Sequence, residues 1–149
     1  MNVVDAWQAV LEREYAALYG YGIVGARLSV DNQGDEQGGD EEGSVRAAMK
    51  AHAMVRDRSI AAIQSLGGTP VPAAPAYTTE NSSDDRTPRQ LATAIEVECA
   101  YTYLLLIGAD PVTASEQTRT KQVATKWLAD AAKRQWEWSG EIPAWPGFS

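Results

Sequence analysis

The chain has 149 residues, 44% of them hydrophobic, and a net charge of −7. This length and composition fit a single globular domain covering residues 1–149 and exclude a disordered or fibrous chain. Six acidic residues lie within residues 31–42, which contain no lysine or arginine, so the remainder is nearly neutral and lacks the basic surface that nucleic-acid binding requires.

The cysteine content and the apolar runs narrow the class further. A single cysteine, Cys99, excludes an intrachain disulfide, and without a Cys/His ladder no zinc site is indicated. The N-terminus has no basic segment followed by an apolar core, and the longest strongly apolar run, residues 101–109, is too short to span a bilayer. We therefore expect a soluble, cytoplasmic protein without a membrane partner.

The first predicted helix covers residues 3–28. Steps of three and four residues trace an apolar seam of the kind that packs against other helices. Glu14 interrupts this seam, with Leu11 and Leu18 on either side of it. A buried carboxylate costs several kcal/mol unless it has a cation, a metal ion, a proton or water beside it. Glu14 is therefore the first candidate for a functional residue.

The second predicted helix runs from Ser44, as N-cap, to Leu66 before two glycines. The acidic, glycine-rich residues 29–43 that precede it are typical of a solvated loop, and their spacing does not match an EF-hand calcium loop. The inward stripe of this helix contains His52 and is widened by Arg56. Without a second ligand motif, His52 is interpreted as a satisfied core histidine.

A proline-containing segment of about twenty residues, 67–87, follows the second helix. At roughly 3 Å per residue its extended backbone can reach some 60 Å, whereas a twenty-residue helix is about 30 Å long. The segment can therefore travel the whole height of a bundle. This length predicts that the second and third helices run parallel.

The third predicted helix begins with a capping box formed by Thr87 and Gln90 and ends at Gly108. Its inward face includes Glu98. Glu96 lies one position off that face, and a rotated helix would exchange the two carboxylates.

The fourth predicted helix begins with a capping box formed by Thr113 and Glu116 and continues to about Trp138, before Gly140. The tail beyond it carries Trp145 and Phe148, which we expect to fold back over one end of the bundle.

Four long helices without strand-like alternation, and with a long connection only between the second and third, predict an all-α, ferritin-like four-helix bundle. In that arrangement one long crossover joins two antiparallel pairs. A plain up-down-up-down bundle with an oversized middle loop is the alternative.

The sequence also resembles a known family. The matching fragments cover nearly the whole chain: EYAALYGYG (14–22), HAMVRD (52–57), PAAPAY (72–77), IEVECAYTY (95–103) and WSGEIPAWPG (138–147). Together they are similar to a bacterial family of ferritin-like domains of unknown function. The resemblance implies the ferritin-like bundle and no particular activity.

Ferritin-like metalloproteins hold two metal ions with a Glu from each of two helices and a Glu-x-x-His motif from each of the other two. The sequence has one histidine, His52, and Met49 stands three residues before it instead of Glu. The fourth helix offers Asp130 with Lys133 where the second motif would stand. The full site therefore cannot be built within one chain.

The predicted helix midpoints, near residues 16, 55 and 97, place Glu14, Arg56 and Glu98 at similar heights, with His52 about one turn away. We therefore predict that Arg56 holds both carboxylates, because a guanidinium presents five donors in a planar fork. Tyr101 is predicted as a further donor, and Arg134 as another candidate.

The function expected from this cluster is that of a non-enzymatic binding or interaction module with a degenerate di-iron site, without catalytic residues or a cofactor. Its partner would be a small molecule or a protein, and a homodimer is considered. The alternative is an iron or manganese oxidase whose ligands are Glu14, His52, Glu98 and Asp130, or whose site is completed across a dimer. A third interpretation is a pocket for a small apolar ligand beside the glycines of residues 20–25.

Overall fold

The computed structural model describes residues 1–31, 36–77 and 85–141, and of residues 36–39 the backbone alone. Four helices form the fold: α1 (Val3–Asp31), α2 (Glu36–Ser65), α3 (Pro88–Ile107) and α4 (Ala114–Ser139). Within these ranges there is no β-strand beyond one isolated bridge between Asn2 and Asp110. The chain is an all-α, four-helix protein.

The start of α2 differs from the sequence-based prediction. The helix begins at Glu36, so Ser44 is no N-cap but lies inside it, where its hydroxyl donates to the Asp40 carbonyl at 3.1 Å. The predicted solvated loop, residues 29–43, is therefore wrong for residues 29–31, which end α1, and for residues 36–43, while residues 32–35 lie outside the described residues. A polar segment has no apolar period to reveal a helix, although acidic side chains near a helix N-terminus favour one electrostatically.

The predicted capping residues of α3 and α4 are confirmed, but of the capping box predicted for Thr113 and Glu116 the structure shows only the Thr113 half. Thr87 forms a complete capping box with Gln90, and Gly108 caps the end of α3. The Thr113 side chain accepts from the Glu116 backbone N–H, and Gly140 ends α4 in the left-handed conformation with φ 76°. Trp145 and Phe148, predicted to cover a bundle end, lie outside the described residues.

Helices α1 and α3 form the centre of the packing, because α1 packs against α2 and α3, and α3 packs against α1 and α4. The buried face of α1 carries large side chains such as Trp7, Leu11 and Tyr21. Trp7 packs edge-on against Trp127 of α4, with ring centroids 5.8 Å apart. The apolar core therefore joins α1 to the far side of the bundle as well as to its direct neighbours.

Contacts at the helix ends give the chain directions. At the start of α1, the Val3 N–H donates to the carbonyl of Asp110, just beyond the end of α3, at 3.1 Å. Gln8 of α1 exchanges hydrogen bonds with Thr69 and Val71, just beyond the end of α2. Helix α1 therefore runs opposite to both α2 and α3, which begin at the same end of the molecule.

A contact at the other end agrees with these directions, because the Arg89 guanidinium at the start of α3 donates to the Glu41 carboxylate near the start of α2 at 3.4 Å. Residues 66–87 therefore join opposite ends of the helical assembly.

Among the described helices, α3 alone has the length and apolar composition that a membrane span would need. Half of its apolar stretch is buried by the other helices. It also carries the buried Glu96, as a core helix of a soluble protein can.

The chain directions predict two distances between nitroxide labels. Labels at Ser65 and Arg89 should be separated by about the length of a twenty-residue helix, roughly 30 Å, because these residues lie at opposite ends. Double electron–electron resonance measures this separation, and the buried Cys99 should stay unlabelled.

Labels at Glu41 and Arg89 form the matched control and should lie close together, since these two side chains are in contact. A short distance for the Ser65 and Arg89 pair would contradict the deduced direction of α3 and favour a plain up-down bundle.

Candidate functional site: a buried ionic cluster

Glu14 of α1, His52 of α2 and Glu96 of α3 meet in the interior, and all three are fully buried. His52 lies between the two carboxylates, with Nδ1 at 2.6 Å from Oε2 of Glu14 and Nε2 at 2.9 Å from Oε1 of Glu96. Arg134 of α4 adds a fourth charged group, its Nε donating to the same Oε1 of Glu96 at 2.8 Å. We call Glu14, His52, Glu96 and Arg134 the central cluster.

The hydrogen bonds of His52 indicate its charge. A neutral imidazole carries one N–H and one lone pair, whereas an ionised carboxylate can only accept. Two carboxylate partners therefore require hydrogen on both ring nitrogens, which is the imidazolium form. With His52 and Arg134 positive and Glu14 and Glu96 negative, the central cluster is electrically neutral.

Aromatic side chains complete the surroundings of the two carboxylates. The Tyr103 hydroxyl donates to Oε1 of Glu14, and the Tyr21 hydroxyl donates to Oε1 of Glu96 at 2.6 Å. The Trp138 indole N–H donates in turn to the Tyr21 hydroxyl at 3.0 Å. Glu14 therefore receives one cation and one phenol, and Glu96 receives two cations and one phenol.

Glu96 distributes its partners unevenly. Its Oε1 accepts from His52, Tyr21 and Arg134, whereas its Oε2 is buried without a hydrogen-bond partner among the described residues. The positive charges of two partners meet at one oxygen, so Glu96 is the electrostatic centre of the cluster.

The pKa directions follow from this arrangement. Burial alone lowers the pKa of His52, but the charge of Glu14 above all, and of Glu96, raises it well above its ordinary value. Burial raises the pKa of Glu96, but the positive charges of His52 and Arg134 outweigh that effect and lower it. Burial and the Glu96 charge likewise raise the pKa of Tyr21. The ionised carboxylate and the neutral phenol are thus the favoured forms at pH 7.

Cys99 lies one helical turn after Glu96 and is completely buried beside the cluster. Its sulfur, a carboxylate oxygen of Glu14 and a ring nitrogen of His52 lie within 4.8 Å of one another. Burial, and next the charge of Glu14, raise the pKa of the Cys99 thiol to about 12. The thiol is therefore protonated at neutral pH and is no reactive nucleophile.

The predicted partners of Glu14 are elsewhere, so the predicted ion pairs are wrong. Arg56 is directed to the surface and pairs with Asp57 at 2.9 Å. Glu98 is partly exposed and pairs with Arg13. The side chain of Tyr101 is 49% exposed, and Asp130 pairs with Lys126 at 2.7 Å on the surface of α4. Of Glu14, Arg56, Glu98 and Tyr101, only Glu14 belongs to the central cluster, whereas Arg134, the other predicted donor, belongs to it through Glu96.

The wrong predictions for Arg56 and for Glu98 each have a geometric cause. Because α2 starts eight residues earlier than predicted, its midpoint lies near residue 50 instead of 55, which raises His52 to the level of Glu14 and moves Arg56 beyond it. Helix α3 has the rotation that the sequence analysis gave as the alternative, so Glu96 faces inward and Glu98 faces outward. A two-residue step turns a helix by about 200°, which separates the two carboxylates onto different faces.

Tyr21 and Tyr103 were not predicted as donors. Tyr21 lies on the apolar seam of α1 and was interpreted as packing, since an inward tyrosine has the same spacing as any core residue. Their donor role could have been inferred from chemistry alone, because a buried phenol needs a hydrogen-bond partner and two buried carboxylates need donors.

The comparisons with known proteins identify the family. Residues 6–149 match the model of a domain of unknown function, DUF4439, so the chain belongs to that family. The crystal structure of a conserved hypothetical protein, Rv2844, from Mycobacterium tuberculosis is similar, with a TM-score of 0.73 and 24% identity over 99% of this chain and 95% of that one. This likeness concerns the fold alone. None of the curated proteins matches the chain.

Arg134 provides the sharpest test of the cluster's electrostatics. The variant Arg134→Met leaves Glu96 without its guanidinium partner, which should lower the unfolding free energy by about 3 kcal/mol. This value is the lower end of the range for a buried ion pair, because the Arg134 side chain is 14% exposed. Urea unfolding monitored by circular dichroism measures the change.

The double variant Arg134→Met/Glu96→Gln should recover much of that loss, because Glu14 and His52 then balance each other. Lys133→Met, next along the helix and exposed, is the matched control and should change stability by less than about 0.5 kcal/mol. Equal losses in the single and double variants would show that packing, not charge pairing, explains the effect.

Proposed function

We propose that the chain is a ferritin-like bundle that acts as a non-enzymatic binding or interaction module, with the central cluster in place of a di-iron centre. The opposite directions of α1 relative to α2 and α3, with one long connection after α2, support the ferritin-like arrangement. A small molecule or protein partner, a cytoplasmic location and a homodimer are parts of the same proposal.

The positions of the cluster residues support the degenerate-site interpretation. A di-iron bundle takes one Glu from each of two helices, and α1 and α3 contribute Glu14 and Glu96. In the two helices that would carry Glu-x-x-His, α2 has Met49 three residues before His52, and α4 has Ala131 three residues before Arg134. Two carboxylates are thus replaced by apolar residues and one histidine by arginine.

The neutrality of the cluster is the observation that carries the proposal. Two ferrous ions need four carboxylates, whereas the central cluster has two carboxylates already balanced by an imidazolium and a guanidinium. Arg134 contacts Glu96 directly, and both ring nitrogens of His52 are hydrogen-bonded to carboxylates, so no imidazole lone pair is directed at a metal. The residues present do not fit a di-iron group.

A second candidate function rests on Glu14, His52 and Cys99, which could hold a single metal ion because their ligand atoms lie within 4.8 Å of one another. Their oxygen, nitrogen and sulfur donors suit zinc better than the iron or manganese of a carboxylate site. Binding would require both His52 and Cys99 to lose protons. The sequence had suggested Glu98 and Asp130 as further ligands of such an ion. Both lie at the surface, so they add no ligand to this site.

Metal analysis separates the two candidates. Protein purified without chelator should contain far less than one transition-metal ion per chain, and added Fe²⁺, Mn²⁺ or Zn²⁺ should leave its Tm unchanged, because the cluster is already neutral. Inductively coupled plasma mass spectrometry and thermal unfolding measure these two quantities.

Near-stoichiometric metal that is lost in Cys99→Ala, and retained in the control Lys133→Met, would overturn the metal-free proposal and establish the single-ion site. Metal retained in both variants but lost in Glu14→Gln would place the ion elsewhere on the cluster and would also overturn the proposal.

A further inference from the structure

A cavity of about 350 Å³ lies between the last turns of α2 and the first turns of α4, and no residue of the central cluster lines it. This volume is within the range of small-molecule sites. Its apolar lining includes Trp7, Leu66 and Val123, and its polar lining includes Arg58, Glu116 and Arg119. The cavity exists because α2 and α4 pack on α1 and α3, respectively, and share no comparable interface in the described part of the chain.

Neither of the two arginines of this cavity is engaged in an ion pair within the described ranges. Arg13, Arg56 and Arg89 each form an ion pair with a carboxylate. Arg58 and Arg119, in contrast, are exposed and have no ion pair within the described ranges. An unengaged guanidinium beside an apolar surface is a ready partner for a carboxylate, which it can bind through two parallel hydrogen bonds.

Glu116, on the same cavity wall, lacks a hydrogen-bond donor for one oxygen among the described residues. Its Oε1 is buried, and no donor for it is found in the part of the chain that the structure describes. Its backbone N–H donates to Thr113 at the start of α4, so the helix cap does not involve this oxygen. A buried acceptor without a donor costs about 1 to 3 kcal/mol. Glu116 lines the cavity, so a ligand whose N–H group meets its carboxylate, once the side chain turns toward the cavity, would relieve this cost.

We propose that this cavity binds a small amphipathic zwitterion of the apolar α-amino-acid class. The carboxylate pairs with Arg58 and Arg119, the ammonium group donates to Glu116, and the apolar side chain packs on Trp7, Leu66 and Val123. A simple anion is a poorer occupant because Glu116 repels it, and a simple amine is poorer because two guanidinium groups repel it. The proposal deepens the binding role proposed above and rests on it.

Three probes of similar shape distinguish these contributions. L-phenylalanine carries both charged groups, 3-phenylpropionate lacks the ammonium, and phenethylamine lacks the carboxylate. Titrations followed by ¹H–¹⁵N NMR of the full chain should show phenylalanine binding with a Kd at or below about 1 mM, with shifts at Trp7 and in the first turns of α4. Each analogue should bind at least about tenfold more weakly, because it loses one charged contact.

Variants of the polar lining assign each charge. Arg119→Gln and Arg58→Gln should each weaken phenylalanine binding about tenfold, while Glu116→Gln should weaken phenylalanine and leave 3-phenylpropionate unchanged or improved. Arg46→Gln is the matched control, because Arg46 is an exposed arginine of α2 outside the cavity, and it should bind like the parent protein. The Tm of each variant verifies that it is folded.

Absence of shifts at about 10 mM phenylalanine would overturn the proposal, as would equal binding of all three probes, which would indicate an apolar pocket without charge recognition. Shifts outside the cavity would overturn the assignment of the site. The metal analysis of the central cluster is independent of this titration. Near-stoichiometric metal in the cluster would contradict the proposed metal-free module without changing the result expected at the cavity.

Discussion

The burial of two carboxylates, Glu14 and Glu96, is the constraint on which the rest of the structure depends. Neither can remain ionised in an apolar interior without a partner, and an unpaired buried charge would cost more than a typical core contact supplies. His52 satisfies both at once, and Arg134 adds a second positive charge at Glu96. The interior therefore holds two negative and two positive groups, with tyrosine hydroxyls supplying further donors.

Each helix contributes one member of the central cluster, so the ionic contacts also fix how the helices are placed. Helices α2 and α4 share no extensive interface in the ranges described, and the chain of contacts from His52 through Glu96 to Arg134 connects them through the core. A charged cluster can select one packing arrangement by penalising alternatives that leave a charge unpaired. The gap that remains between α2 and α4 accounts for the cavity proposed as a ligand site.

The sequence predicted most of the helix boundaries because capping residues act locally, as the Thr87 box and Gly140 show. It also identified Glu14 as buried, since its position in an apolar seam is a local property. The predicted start of α2 was wrong, because its acidic first residues have no apolar period that indicates a helix. This error displaced the predicted heights of His52 and Arg56. The choice between Glu96 and Glu98 depends on the rotation of α3 against its neighbours, which no local pattern determines.

The central claim is that His52 is an imidazolium held between two carboxylates. Because it is the one histidine of the chain, ¹⁵N-histidine labelling gives its ring signals without assignment. We expect two ring N–H protons and both nitrogens at imidazolium shifts at pH 7, persisting as the pH rises well beyond about 6.5, since the neighbouring charges raise the pKa of His52 despite burial. A single protonated nitrogen at pH 7, with the wide shift separation of a neutral tautomer, would contradict it.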